Sequence, residues 1–299
     1  RNLDMRDLKN KLTSGKNSTN IQSRKAKSFG YQVLGFGSGG GSSPALVDYL
    51  VVAGGGGGGA RDNNNGAGGG GGGGMRFSFC CSCVSQVELD PGDYTITVGG
   101  GGAKAPTCNT PSSRGGDSIA FACTPVAVTS TGGGGGESGQ ATGGSGGGGQ
   151  TVYAQAGAAG NTPPTSPPQG NPGGQGGPFN SSGRGGGGGG KGGSGGQGSA
   201  GAGSANSITG SAVTYASGGS GGSAPGGGGG CGGEGADEIG QGGGGGRSMG
   251  SANNGGSGVV IIRVPCAPAG IAVTGSGNQL SDDGSAKVAR FIVSGTLTI

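Results

Sequence analysis

The chain has no histidine and no tryptophan, and aromatic residues make up only 4 % of it. Without histidine, Ser-His-Asp and Cys-His catalytic arrangements are excluded. Charged residues are 11 % of the chain, about half the usual share. No basic stripe with interleaved aromatics runs through the body, which argues against a nucleic-acid module. No stretch approaches the roughly 20 apolar residues that cross a bilayer. Residues 1–28 are basic and lack the apolar segment of a signal peptide. Hydrophobic residues, alanine included, reach only 29 %, too few for an ordinary domain of 299 residues with a large apolar core. The 14 prolines are too few for collagen, and the glycines do not fall at every third residue.

What is present is glycine. There are 89 in 299 residues, about 30 % against a usual value of about 7 %. Each would cost about 1 kcal/mol in a helix interior, so a long helical protein is excluded. The glycines fall in runs: 54–59, 68–74, 99–102, 132–136, 146–149, 185–190, 226–230 and 242–246. Two classes accommodate this: a disordered low-complexity chain, or a fold in which glycine is the packing material. The residues between the runs favour the second. Leu46–Ala53, Tyr94–Val98 and Val126–Thr131 are short β-like segments that each feed a glycine run. Further strands are expected at Tyr31–Phe36, Met75–Phe79, Ser118–Cys123, Thr151–Gln155, Ser207–Tyr215, Gly258–Val264 and Val288–Ile299. Val259–Ile262 is a continuous apolar, β-branched run and should be central and buried. A flexible linker needs no such segments.

Glycine loses more backbone freedom on folding than any other residue, so a single ordered run cannot stand alone. Many runs side by side can. In the polyproline-II conformation the chain has three residues per turn and no internal hydrogen bonds, so its N–H and C=O groups point outward. Neighbouring glycine backbones can then approach closely and satisfy those groups laterally. The expected fold is a bundle of packed polyglycine-II helices, with short β-strands forming a cap or small sheet and little α-helix. Residues 2–13 are expected to form a short helix with Met5, Leu8 and Leu12 on one face.

Residues 1–28 carry eight basic residues against Asp4 and Asp7, a net of +6, which leaves −2 for the rest of a chain whose total is +4. The basic character therefore belongs to an N-terminal arm, read as a solvated tether for attachment or assembly through Leu8, Leu12, Lys25 and Lys27. The expected organisation is this arm, a lead segment at 29–45, a glycine-rich domain at 46–265 and a C-terminal β segment at 266–299. Seven cysteines leave at least one unpaired if all bonds are internal. Cys80-Cys81-Ser82-Cys83 lacks zinc-ribbon spacing. Buried thiols or local disulfides are expected ahead of a metal site shared with Cys108 and Cys123. No metal and no cofactor is expected. The several G-x-G-x-x-G matches carry no weight, because this composition gives about eight by chance.

Segments built from glycine offer no side chains, so recognition should sit in the loops between them. The candidates are Arg61, Asn63 and Asn64; Lys104, Asn109 and Arg114; Phe179 and Asn180 in a proline-bearing insert at 161–182; and Glu234, Arg247 and Met249. Tyr153 and Tyr215 are either contact aromatics or packing residues.

The order of segments resembles the glycine-rich domain of bacteriophage tail-fibre and tip adhesins. The resemblance is carried by DYLVVAGGGGGGA at 48–60, PGDYTITVGGGG at 91–102, GDSIAF at 116–121 and GSGVVIIRVP at 256–265. KVARFIVSGTLTI at the C-terminus and SFGYQVLGFGSGG at 28–40 are similar to segments found beside such domains. It implies a sandwich of polyglycine-II helices at the tip of a tail fibre, holding a host receptor through variable loops. The implied protein is a non-enzymatic virion component, extracellular when it functions. Its implied partners are a host surface protein or glycan and other fibre subunits, a second copy of itself included, with no nucleic acid and no membrane insertion. The CCSC cluster and the basic arm depart from that pattern. The alternative is a structural subunit of a filament or virion decoration, assembled through the arm or by strand addition of Val288–Ile299.

Overall fold

Two segments decide the centre of the molecule. Val259–Pro265 (VVIIRVP) forms β9, and Ala45–Val52 (ALVDYLVV) forms β1; they pair antiparallel from Asp48↔Arg263 to Val52↔Val259. The computed structural model describes residues 44–61, 65–79, 84–137, 141–151, 154–178, 183–223, 235–246 and 252–299, all within one unit, Pro44–Ile299. The expected helix at 2–13 and strand at Tyr31–Phe36 lie outside these residues. Among the described residues there is no α-helix, and the ordered secondary structure is β-strand in antiparallel sheets.

The first sheet adds Met75–Phe77 (β2) and Val87–Leu89 (β3) to β1, and adds Ala286–Phe291 (β12) and Gln279–Asp282 (β11) beyond β9. The second sheet runs Ala272–Val273 (β10), Gly295–Thr298 (β13), Asp93–Thr97 (β4), Ser118–Ala122 (β5), Val128–Ser130 (β6). Ser204–Asn206 (β7) and Val213–Tyr215 (β8) make a hairpin. Strand alternation shows why β1 and β9 read as continuous apolar runs. Val47, Tyr49, Val51, Val260, Ile262 and Val264 face a core that includes Ile96, Phe121 and Leu297 of the second sheet. Leu50, Val52, Val259 and Ile261 face an opposite cluster with Met75, Ile208 and Tyr215. With both faces covered, β1 is buried from Val47 to Val52 and β9 from Val259 to Ile262, which leaves no water-facing position within those stretches. The strand expected at Thr151–Gln155, of which residues 152 and 153 lie outside the described ones, is not found at its described positions: Ala154 has a φ of 48° and its N–H donates to Thr151 O.

The glycine runs continue the strands directly and bond sideways. Gly54 and Gly57 donate to Gly116 and Ser113; Gly55 and Gly58 donate to Gly256 and Asn253; Gly56 and Gly59 donate to Gly71 and Gly68. The carbonyls repeat the pattern. Gly54 and Gly57 accept from Gly133 and Gly136, Gly55 and Gly58 from Gly102 and Ala105, and Gly56 and Gly59 from Gly243 and Gly246. Every bond lies between 2.8 and 3.0 Å. The partner changes with a period of three, so one run is tied to six neighbours. Residue numbers fall along the three neighbours that receive its N–H groups and rise along the three that donate to it, so neighbours run in both directions. The run 68–74 behaves alike, with Gly69 and Gly72 donating to Gly186 and Gly189, Gly70 and Gly73 to Gly243 and Gly240, and Gly71 and Gly74 to Gly134 and Thr131. This meets the accounting rule for buried backbone groups without a ladder of paired strands.

Side chains are excluded from this interior. A Cβ built on Gly56 would lie 2.1 Å from Gly134 O, and one on Gly58 would lie 2.0 Å from Gly244 O. Surface segments relax the rule with the same period. In Asn171–Pro178 (NPGGQGGP), Pro172, Gln175 and Pro178 are exposed, while Gly173, Gly174, Gly176 and Gly177 face inward.

Candidate functional site

The bonding register orients every run. Gly54–Gly59, Gly99–Gly102 and Gly132–Gly136 leave β1, β4 and β6 and end at Ala60, Ala105 and Glu137, away from the sheets. Ala60, Ala105 and Ala252 pack together as a buried cluster there. This end, distal to the sheets, gathers loop side chains from segments far apart in sequence.

Its centre is an ion pair. Arg61 Nε donates to Glu137 Oε1 at 3.1 Å, and an Arg61 guanidinium N–H donates to Asn109 Oδ1 at 2.7 Å. The N–H of Asn109 donates to Ala60 O at 3.0 Å, which holds the 106–112 loop against the end of the first run. Glu137 is 3 % exposed. Burial pushes its carboxyl up to about 7, against the opposing pull of Arg61. Ser112 Oγ lies 2.9 Å from Gly57 O and 2.8 Å from Gly136 O, linking the same two runs.

Two of the residues read from the sequence, Arg61 and Asn109, therefore meet. Lys104 is exposed on the neighbouring segment, whose N–H donates to Asn254 Oδ1 at 3.0 Å. Arg114 is drawn towards the sheets, where it pairs with Asp117 at 2.5 Å; the Asp117 carboxylate also accepts from Gly132 N–H. Tyr215 is 3 % exposed within the cluster beneath β1 and β9, which makes it a packing residue and not a contact aromatic. Asn63, Asn64, Tyr153, Phe179, Asn180, Glu234, Arg247 and Met249 lie outside the described residues, as do Leu8, Leu12, Lys25 and Lys27 of the arm. Glu137 was missed from the sequence. The available signal was its place directly after a five-glycine run, matching Arg61 after Gly54–Ala60.

The insert at 161–182 is not one loop. Asn161–Gln169 lies at the sheet end. There Gln169 O accepts from Met75 N–H, and the Gln169 side-chain amide bonds both Thr131 and Pro163 O. Its second half returns as a glycine segment, with Gly173, Gly174 and Gly176 donating to Ala158, Gly187 and Gln155.

A family model described as a glycine-rich domain matches residues 42–265. The chain belongs to this family. No curated protein and no solved structure matches the chain. The matched span closes with β9, while the glycine-rich domain's two sheets also recruit strands beyond it: β12 lies between β9 and β11, and β13 lies between β4 and β10.

Among the described residues no cluster of three or more His, Cys, Asp or Glu side chains is placed to hold a metal. Cys108, Cys123 and Cys266 are free thiols. No helix of the described residues is long and apolar enough to cross a membrane. Two depressions lie on the sheet side. One, of about 150 Å³, is lined by residues that include Met75, Phe77, Pro167, Pro168 and Lys191. The other, more open and about 330 Å³, lies between Phe77, Phe79 and the β7–β8 hairpin.

Proposed function

We propose that the chain is a non-enzymatic phage virion protein, a tail-fibre tip adhesin that reads a host surface receptor through its distal loops. The glycine runs are read as polyglycine-II helices: their partners change every three residues, and each extended run bonds only outward. The observation that carries the functional reading is the meeting of Arg61, Asn109 and Glu137 at the end of the glycine runs away from the sheets, with Lys104 exposed on the adjoining segment. Such a rigid backbone scaffold with polar loops at one end suits recognition better than catalysis. The absence of histidine from the whole chain agrees with a binding role.

Of the alternative reading, a filament or decoration subunit assembled through the arm or by strand addition, the strand-addition route finds less support. Strand donation by Val288–Ile299 would require removing β12 and β13, both interior strands of their sheets.

The test is capture of bacterial cells by immobilised protein. A variant with Arg61, Lys104 and Asn109 all changed to Ala should lose capture. A control with Lys287 and Arg290 changed on the sheet side should keep it. Undiminished capture by the first variant overturns the distal-loop reading, and long regular homopolymers in electron micrographs would favour the filament.

A further inference from the structure

The depression on the sheet side is independent of the distal loops. Its walls are Met75 and Phe77 of β2 and Pro167–Pro168 of the 161–169 loop, with Tyr49 and Val84 completing the apolar lining. Two cations, Arg76 and Lys191, stand among these residues, and among the described residues no carboxylate lines the site. Lys191 Nζ donates to Pro168 O at 2.6 Å and lies 5.9 Å from the centroid of the Phe77 ring. The lysine thus fixes the proline wall and places its charge over an aromatic face.

Size and charge select the guest. The cavity is about 150 Å³, the volume at which an apolar cavity accepts a single benzene-sized ring. Free small-molecule ligands usually occupy about 300 Å³ or more. A guest of one ring, with two cations beside it, is the anchor of a longer chain: aromatic side chains seated in pockets are the usual hot spots of protein interfaces. The surroundings give that chain room to continue. β2 is the terminal strand of its sheet, and Phe77 is shared with the more open depression lined by Phe79 and Asn206. We propose that this cavity is a docking site for a partner protein, taking one aromatic side chain between Phe77 and Pro167–Pro168 while an adjacent carboxylate of the partner meets Arg76 and Lys191.

The experiment uses the full chain with labelled methionine methyls. There are three methionines, and the Met75 signal is assigned from Met75→Leu. The probes are the end-blocked peptides Gly-Phe-Asp-Gly, Gly-Phe-Lys-Gly and Gly-Ala-Asp-Gly, together with phenylacetate. The Phe-Asp peptide should shift the Met75 methyl saturably, with affinity at least about tenfold above that of the Phe-Lys and Ala-Asp peptides. The double variant Arg76→Gln, Lys191→Gln should lose that preference while its other methyl signals stay in place. Absence of a saturable shift, or equal binding of the Phe-Lys peptide, overturns the proposal. Phenylacetate binding as tightly as the peptide would also overturn it, by making the guest a free aromatic acid.

Discussion

Gly56→Ala and Gly100→Ala place the same methyl group on two glycine segments of the same domain, and the structure assigns them opposite outcomes. At Gly56 the new Cβ would lie 2.1 Å from Gly134 O and 2.5 Å from Gly134 C. Real Cβ contacts stay beyond 3.0 Å, so the neighbouring backbone must retreat by at least 0.9 Å. No side chain can rotate away, because the obstacle is main chain held by its own bonds: Gly134 N–H to Ser145 O at 2.9 Å, and Gly71 N–H to Gly134 O at 2.7 Å. Gly56 is tied in turn to Gly71 and Gly243. A retreat of that size breaks two or three lateral bonds at about 1 kcal/mol each. Overpacking adds about 1–3 kcal/mol. The expected loss is about 3–6 kcal/mol, a large part of the 5–15 kcal/mol that holds a typical domain.

At Gly100 the Cβ meets nothing within 4 Å, and the residue is exposed with φ outside the left-handed region. Alanine there removes only freedom of the unfolded chain, so stability should stay level or rise by about 0.4–1 kcal/mol. Thermal and urea unfolding of both variants is the assay. For a domain of this size each kcal/mol moves Tm by about 2–4 °C, so Gly56→Ala should melt about 10 °C lower or fail to fold. A Gly56→Ala melting point within 2 °C of the parent, or a fall at Gly100→Ala, would refute the side-chain-free interior. Gly71→Val and Gly187→Val should fail outright, since their Cβ atoms would lie 2.3 Å from Ser145 O and 2.0 Å from Ser199 O.

Glu137 predicts a pH dependence. Its folded carboxyl stands at about 7 against an ordinary 4.5, so the folded state keeps a proton that the unfolded state has released. This contribution is complete below pH 4.5 and is lost as pH rises towards 7, by about 3 kcal/mol across the interval. Urea titrations at pH 4.5 and 7.5 should show that loss in the parent and not in Glu137→Gln; identical slopes would refute it. Gln169→Leu should cost about 2–4 kcal/mol, measured by urea unfolding, because Thr131 N–H and Pro163 O lose the fully buried amide that satisfies them. Ile261→Ala, 1 % exposed at the centre of β9, should cost about 2–5 kcal/mol in the same assay.

The sequence made β1 and β9 legible because both faces of each are covered, and continuous apolar runs result. It hid β3 (VEL), β7 (SAN) and β11 (QLSD), which are short, partly polar and defined by the strands they pair with. It pointed to Arg61 and Asn109 as loop residues but not to their contact. That contact depends on Glu137, and an isolated carboxylate after a glycine run reads as solvated until its partner's position is known. Arg114 shows the converse: Asp117, three residues on, draws its side chain away from the distal end.

The split of the 161–182 insert shows what a closer sequence reading has to count. Interior runs need glycine at every position because all three sides of a three-residue turn face another backbone. A surface segment needs it at two of three, and the third position is free. Asn171–Pro178 carries that signature, with Pro172, Gln175 and Pro178 exposed at intervals of three. Ala156 and Ala159 are exposed at the same interval on the segment before the loop, although Ala158 between them stands where a second glycine would be. The same spacing in collagen signals a different object, so composition alone cannot separate them. Adjacent residues of one segment test the distinction. Gln175→Lys changes size and charge at an exposed position and should leave Tm within about 2 °C, with loss of only the Gln175 bond to Ala154 O. Gly176→Ala adds one methyl 2.0 Å from Gln150 O and should cost several degrees, in line with the interior variants. If the lysine destabilises more than the alanine, the three-residue rule is wrong and the segment is held by its side chains.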